Sequence, residues 1–194
     1  MAIRSSLFSS ICLLLLVAGM AVAGPVPPFT ECPAIGASPS CTILYVFNAD
    51  GSVSSYGDSS VGPYDGAEDT LVGVLNSSTV TETSLTLSGT GINGIPIFAF
   101  DGDGICLYPG GPPCGATGYE GPNTTFSNIS LDQMTGTINF TGGLAPGATA
   151  YFGLEDALNP QAPPPPGVPE PASYLLLAGG LAALGWRMRS ARAN

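Results

Sequence analysis

Between residues 32 and 158 the chain alternates short apolar runs with turn-forming residues, and no window sustains a helical period. Thr42-Ile-Leu-Tyr-Val-Phe47 is rich in β-branched and aromatic residues and reads as a strand. Asn48-Ala-Asp-Gly51 is a turn signal, so Ser52 to Tyr56 is expected to return as a hairpin. Thr70 to Leu75 reads as the next strand. In Val80 to Ser88, Leu85 and Leu87 take one face while Ser84, Thr86 and Ser88 take the other. Ile95 to Phe100 is largely apolar, as in a buried strand, and Thr124 to Ile129 supplies another. Gly136 to Thr141 alternates again with Ile138 and Phe140 inward, Gly142 to Gly147 reads as a turn, and Ala148 to Leu154 is expected to pair back. Short strands at this spacing predict an all-β fold, an immunoglobulin-like β-sandwich of roughly seven to nine short strands. No internal repeat is visible.

The two ends follow a different pattern. Met1-Ala-Ile-Arg4, the apolar run Ile11 to Ala18, and the small residues Ala21 and Ala23 compose the three-part grammar of a secretory signal peptide, with cleavage expected after Ala23. The competing reading is an uncleaved anchor helix. At the other end, Pro160 and Pro163 to Pro166 make an extended, stiff spacer. Val168-Pro169-Glu170-Pro171 follows, then an apolar segment from Ala172 to Trp186, then Arg187, Arg189 and Arg192. An apolar run closed by arginines reads as a membrane segment with its basic end in the cytoplasm. Fifteen helical residues reach only about 22 Å, short of a hydrocarbon core of roughly 30 Å, and Gly179-Gly180 weakens the middle. Such an anchor suits a temporary role. The expected organisation is a signal helix over 1–23, a β-sandwich ectodomain over 24–159, a proline-rich linker over 160–167, and a sorting and short transmembrane segment over 168–194.

Pro169-Glu170-Pro171, the short hydrophobic helix and the terminal arginines together resemble a PEP-CTERM sorting signal, found on exported proteins of Gram-negative bacteria that make exopolysaccharide. The resemblance implies recognition by an exosortase, a membrane-embedded cysteine transpeptidase, and processing near the motif. It implies Sec export, transient residence in the inner membrane, and a final place at the cell surface or in the extracellular matrix, with a link to exopolysaccharide and biofilm. In the middle, Gly62 to Val74, Phe100-Asp-Gly-Asp-Gly104, Tyr119-Glu-Gly-Pro122 and Leu144 to Phe152 look like a core recurring among such surface proteins. The Asn76-Ser-Ser78 segment, the leucine-alternating strand after it and the Leu144-Ala-Pro-Gly147 turn are similar to immunoglobulin-like surface modules. These resemblances carry a fold and no activity.

Charge narrows the function classes. Charged residues are 9% of the 194, against about a quarter in an ordinary chain. With 27 glycines and 19 prolines the chain is turn-rich, while 44% hydrophobic residues suffice for a core. All four basic residues, Arg4, Arg187, Arg189 and Arg192, lie in the two ends, and the chain has no histidine. All fourteen acidic residues lie between Gly24 and Glu170. A domain without cations cannot replace the counterions of a phosphate backbone, which excludes nucleic acid. Without histidine, Ser-His-Asp and Cys-His catalysis are excluded.

Four cysteines remain after the leader: Cys32, Cys41, Cys106 and Cys114. An even count in an exported chain reads as two disulfides with three possible pairings, of which the short loops Cys32–Cys41 and Cys106–Cys114 close at least entropic cost. A Cys₄ zinc site needs closer spacing within each pair. Asp101-Gly-Asp-Gly104 places alternate carboxylates on a glycine-rich turn that suits calcium, with Asp101 and Asp103 as ligands, although the EF-hand pattern fails beyond them and an Asp-Gly turn is ordinarily only solvated. Asp65, Glu68 and Asp69 form a second acidic group. Paired carboxylates serve glycoside hydrolysis. The domain, however, offers only tyrosines as sugar platforms, since Trp186 lies in the tail. Asn76, Asn123, Asn128 and Asn139 each begin an Asn-x-Ser/Thr triplet, open to glycosylation or merely polar. The expectation is a non-enzymatic exported protein without cofactor, with two alternatives: a calcium-dependent adhesin or carbohydrate-binding module, and a carboxylate-based secreted hydrolase.

Overall fold

The structure, a computed structural model, describes residues 24–91 and 94–156. The signal peptide with Ala21 and Ala23, the proline-rich linker, the motif Pro169 to Pro171, the apolar segment and the three terminal arginines lie outside the described residues. No helix among the described residues is long and apolar enough to cross a membrane. Residues 25–156 belong to one unit.

Seven strands are present among the described residues: β1 (Ile43–Phe47), β2 (Val53–Gly57), β3 (Thr70–Asn76), β4 (Glu82–Ser88), β5 (Thr124–Ser127), β6 (Thr135–Leu144) and β7 (Thr149–Leu154). One short 3-10 turn, Ile105–Leu107, is the only helical element among them. The strands form a four-stranded sheet in the order β2-β1-β3-β7 and a three-stranded sheet in the order β4-β6-β5. Among the described residues the fold is thus nearly all β, with two sheets.

The β1–β2 hairpin forms where the sequence signals it. Gly51 adopts φ 82°, a left-handed conformation that favours glycine, and the Ser52 amide donates to Asp50 Oδ1 at 3.0 Å. The chain then crosses over β1, so that β3 lies parallel to it with Ile43 opposite Val72. Asp65 shapes this crossover: its Oδ1 accepts amide protons from Ala67, Glu68 and Asp69, each at 3.0 Å.

Two apolar clusters sandwich the four-stranded sheet. Between the sheets, Phe47, Val72, Val74, Phe152 and Leu154 meet Leu85, Leu87, Ile138 and Phe140. The inward positions expected for Leu85, Leu87, Ile138 and Phe140 are therefore occupied. On the opposite face of the first sheet, Leu44, Val46 and Leu71 pack under Phe29, Ile35, Tyr64, Ile105 and Tyr119, which come from irregular segments. Burial on both faces explains why β1 and β3 read as continuous apolar runs rather than alternating ones.

Two strand expectations are corrected. Ile95 to Phe100 is not a strand. Ile97 and Phe98 are buried, but Pro96 has no amide to offer a ladder and accepts the Ala99 amide in a turn at 3.0 Å, so the segment plugs the core as a bend. The second concerns β7, which does not pair back on β6. Gly142 and Gly143, both at φ 81°, form an irregularity inside β6, which runs on to Leu144. The turn falls at Ala145 to Ala148, and β7 passes to the other sheet, where it lies antiparallel to β3 with Thr70 opposite Leu154.

Disulfides join Cys32 to Cys41 and Cys106 to Cys114. Their energetic weights should differ. Each closes a loop worth about 2.5 kcal/mol by chain entropy. Cys32 and Cys41 are also buried in the cluster over β1 and β3, whereas Cys114 is exposed. The double variant Cys106→Ala/Cys114→Ala should lose about 2.5 kcal/mol in urea unfolding, and Cys32→Ala/Cys41→Ala about 4 kcal/mol because a cavity is added.

Candidate functional site

The register of β3 against β7 builds the site. Thr70 faces Leu154, so the residues just beyond that pair, Asp69 and Glu155, fall side by side. Asp69 shares the strand face of Leu71 and Gly73, the face covered by Tyr64 and Tyr119. The Asp101–Gly104 loop brings in a third carboxylate. One oxygen each from Asp69, Asp103 and Glu155 lie within 4.8 Å of one another.

Asp69 is 0% exposed and Glu155 3%; Asp103 is half-buried and Asp101 is exposed. The cluster is therefore sealed on the strand side and open toward Asp101. The Tyr119 hydroxyl stands 2.6 Å from Asp103 Oδ1, 2.7 Å from Glu155 Oε2 and 3.3 Å from Asp101 Oδ1. A phenol has one proton to donate, so it cannot satisfy two ionised carboxylates at hydrogen-bond distance. The remaining contact calls for a proton on one carboxyl or for a positive charge nearby. Tyr119 is fixed for this role by stacking on Phe100, with ring centroids 4.5 Å apart.

Asp69 has no hydrogen-bond partner at either carboxylate oxygen, and the buried Tyr64 hydroxyl has none either. The Tyr64 hydroxyl lies near enough to favour the charged form of Asp69 as a weak donor, though the contact falls outside hydrogen-bond geometry. Burial raises the Asp69 carboxyl to about 8; proximity to the Tyr64 hydroxyl works against that rise, and the charges of Asp103, Glu155 and Asp65 add to it. Burial likewise raises Asp103, which the Tyr119 hydroxyl opposes and Asp101 reinforces. Glu155 is raised by burial too, again opposed by Tyr119 and reinforced by Asp101 and Asp103. Asp101 is lowered, chiefly by the hydrogen bond that Asp103 gives it.

The acidic groups visible in the sequence are thus redistributed. Asp103 enters the cluster, Asp101 stands at its mouth, and the Asp65, Glu68, Asp69 group is split, with Asp65 ordering its loop and Asp69 turned inward. Glu155 escaped the sequence reading, because only the pairing of β7 with β3 brings it there. The described residues within the cluster offer hard oxygen donors alone. All four cysteines of the domain are in disulfides and the chain has no histidine, so the donor set suits calcium or magnesium rather than zinc.

Residues 167–190 match the family model of the PEP-CTERM protein-sorting motif. No curated protein and no solved structure matches the chain. The matched segment contains Pro169, Glu170 and Pro171, the apolar run, and Arg187 and Arg189. Residues 167–190 thus carry a PEP-CTERM protein-sorting motif, which implies an exported protein, transiently anchored in a membrane and sorted by an exosortase.

Proposed function

We propose that the chain is a non-enzymatic protein of the bacterial cell surface or extracellular matrix, exported through Sec, held briefly in the inner membrane and released toward exopolysaccharide by an exosortase. The sorting motif at 167–190 carries this reading. In it, Pro169, Glu170 and Pro171 are the recognition segment. Ala172 to Trp186 anchors the chain, and Arg187, Arg189 and Arg192 hold its end in the cytoplasm. The β domain, an immunoglobulin-like sandwich in this reading, is the delivered cargo. It leaves without any fixed positive side chain, because every basic residue sits in the leader or the tail.

An enzymatic role finds little support in the carboxylates. A glycosidase needs two of them facing a sugar across an open cleft. Asp69 and Glu155 are buried, and of the four carboxylates at the cluster only Asp101 is exposed. The second reading, a calcium-dependent adhesin or carbohydrate-binding module, has in its favour the convergence of Asp69, Asp103 and Glu155 without any basic partner.

The intact mass of the protein recovered from its host tests the leading reading. The natural chain should end near Pro169 to Pro171 and lack Arg192, whereas Glu170→Ala should retain Arg192. A natural chain whose mass includes Arg192 would overturn exosortase processing.

A further inference from the structure

Five carboxylates of the described domain are buried: Asp58, Asp69, Glu120, Glu155 and Asp156. Four of them have partners. Asp58 accepts from the Ser60 amide at 3.0 Å, Glu120 from the Thr117 and Gly118 amides at 3.0 Å each, Asp156 from the Ile95 amide at 3.2 Å, and Glu155 from the Tyr119 hydroxyl. Asp69, the most deeply buried along with Asp156, has both oxygens without a hydrogen bond and an oxygen within 4.8 Å of two further carboxylates. A buried ionised carboxylate without a partner is among the costliest groups a fold can hold. No lysine, arginine or histidine exists anywhere between Gly24 and Glu170 to offset it.

We propose that Asp69, Asp103 and Glu155 hold a calcium ion at the end of the β3–β7 pair, and that this ion is a structural clasp of the exported domain. An ion about 2.4 Å from each ligand keeps any two of those ligands within about 4.8 Å of each other, the span within which the three oxygens fall. The ion answers both unsatisfied features of the cluster: it gives Asp69 its missing partner, and it lets Tyr119 donate its single proton to one carboxylate while the other faces the cation. Water reaching the site past the exposed Asp101 fills the rest of the shell. An irregular, one-sided ligand set suits calcium, which accepts six to eight oxygens flexibly, better than magnesium, which demands an octahedron. Three carboxylates completed by water place the affinity in the range of extracellular calcium modules, roughly 10⁻⁴ to 10⁻³ M. The three ligands come from the crossover before β3, the loop before the 3-10 turn and the residue after β7, so the ion ties the last strand of the domain to its core just ahead of the tail. This inference concerns the folded domain alone and does not depend on how the tail is processed.

The full chain in detergent, stripped with EDTA, tests it by thermal melting against calcium and by terbium luminescence excited through tyrosine, for which Tyr119 at the site is the donor. Calcium at about 10 mM should raise Tm by about 5 °C or more, and should quench the terbium signal by displacement. Asp69→Asn and Glu155→Gln should each abolish both responses while melting, in EDTA, at or above the temperature of the natural chain, because each removes buried repulsion. Asp132→Asn, on the exposed surface, should keep both responses. Either variant suffices if the other fails to fold. A chain whose Tm ignores calcium, or whose terbium signal survives both amide substitutions, overturns the site and leaves only diffuse cation binding to an acidic surface.

Discussion

Gly73→Val is expected to abolish folding, and Gly73→Ala to cost at least about 3 kcal/mol. Gly73 sits in the middle of β3 on the face that carries the Cys32–Cys41 disulfide. A Cβ there would lie inside the contact radius of Cys41 Sγ, 3.2 Å from Leu44 Cδ1 and 3.3 Å from Cys32 Sγ. The sulfurs cannot retreat, since they are bonded to each other and covered by Phe29 and Ile35 in the same cluster. Nor can β3 retreat: it is bonded to β1 on one side and β7 on the other, and its opposite face packs Val72 and Val74 into the core between the sheets. The glycine is therefore required for the close approach of a disulfide to a central strand rather than for its own backbone freedom. Urea unfolding checks this. Gly62→Ala, at a position with nothing within 4 Å, should unfold like the natural chain, and a Gly73→Ala protein of unchanged midpoint would sink the argument.

The same position marks where the sequence was legible and where it was not. Thr70 to Leu75 announced a strand through its β-branched and aliphatic residues, and Leu85, Leu87, Ile138 and Phe140 announced their inward face through alternation, because both signals are local. The sorting motif was legible for the same reason: proline, glutamate, apolar run and arginines follow one another along a line. Pairing is not local. Ala148 to Leu154 looks the same whether it returns on β6 or crosses to β3, and the glycines at 142 and 143 mimic a hairpin turn while serving as an irregularity within a longer strand. The parallel match of β1 with β3 depends on a crossover that Asp65 closes by accepting amide protons from the residues after it, a contact invisible until the loop is folded. Ile95 to Phe100 had the composition of a buried strand and the burial too, but Pro96 denied it a ladder. The carboxylate cluster inherits this limit. Asp103 was visible within its own turn, whereas Asp69 and Glu155 are 86 positions apart and meet only because β7 takes the β3 edge.

Stripped of divalent ions, the chain should become less stable as pH rises from about 4 to about 8, the reverse of the usual behaviour of an acidic protein relieved of acid stress. The sign follows from Asp69. Its carboxyl has an ordinary value of 3.8 and is raised in the folded domain to about 8, chiefly by burial. Below the ordinary value the group is protonated in both states, and its contribution to stability is complete. Between the two values the folded state holds a proton that the unfolded chain releases, so stability declines as pH rises. Above about 8 both states are ionised and the decline levels off. Asp103 and Glu155, raised in the same direction and facing Asp69, extend the effect, and Asp65 adds repulsion from the crossover loop. Tyr64 and Tyr119 stay neutral across this window, because burial raises both hydroxyls above their ordinary value. Asp50, Asp101 and Asp132 are lowered and exposed, so whatever they contribute is lost only toward strong acid, below the window. A shift of this size would be worth several kcal/mol for a wholly dry group; with water entering past Asp101, a loss on the order of 3 kcal/mol is expected. Melting in EDTA across the pH series measures it. Asp69→Asn carries no titrating proton at the most buried position, so its profile should fall less steeply, with Asp103 and Glu155 still titrating, and should lie above that of the natural chain at pH 8. A natural chain that melts higher at pH 8 than at pH 5 without divalent ions would mean that Asp69 is satisfied in its charged form by the protein itself.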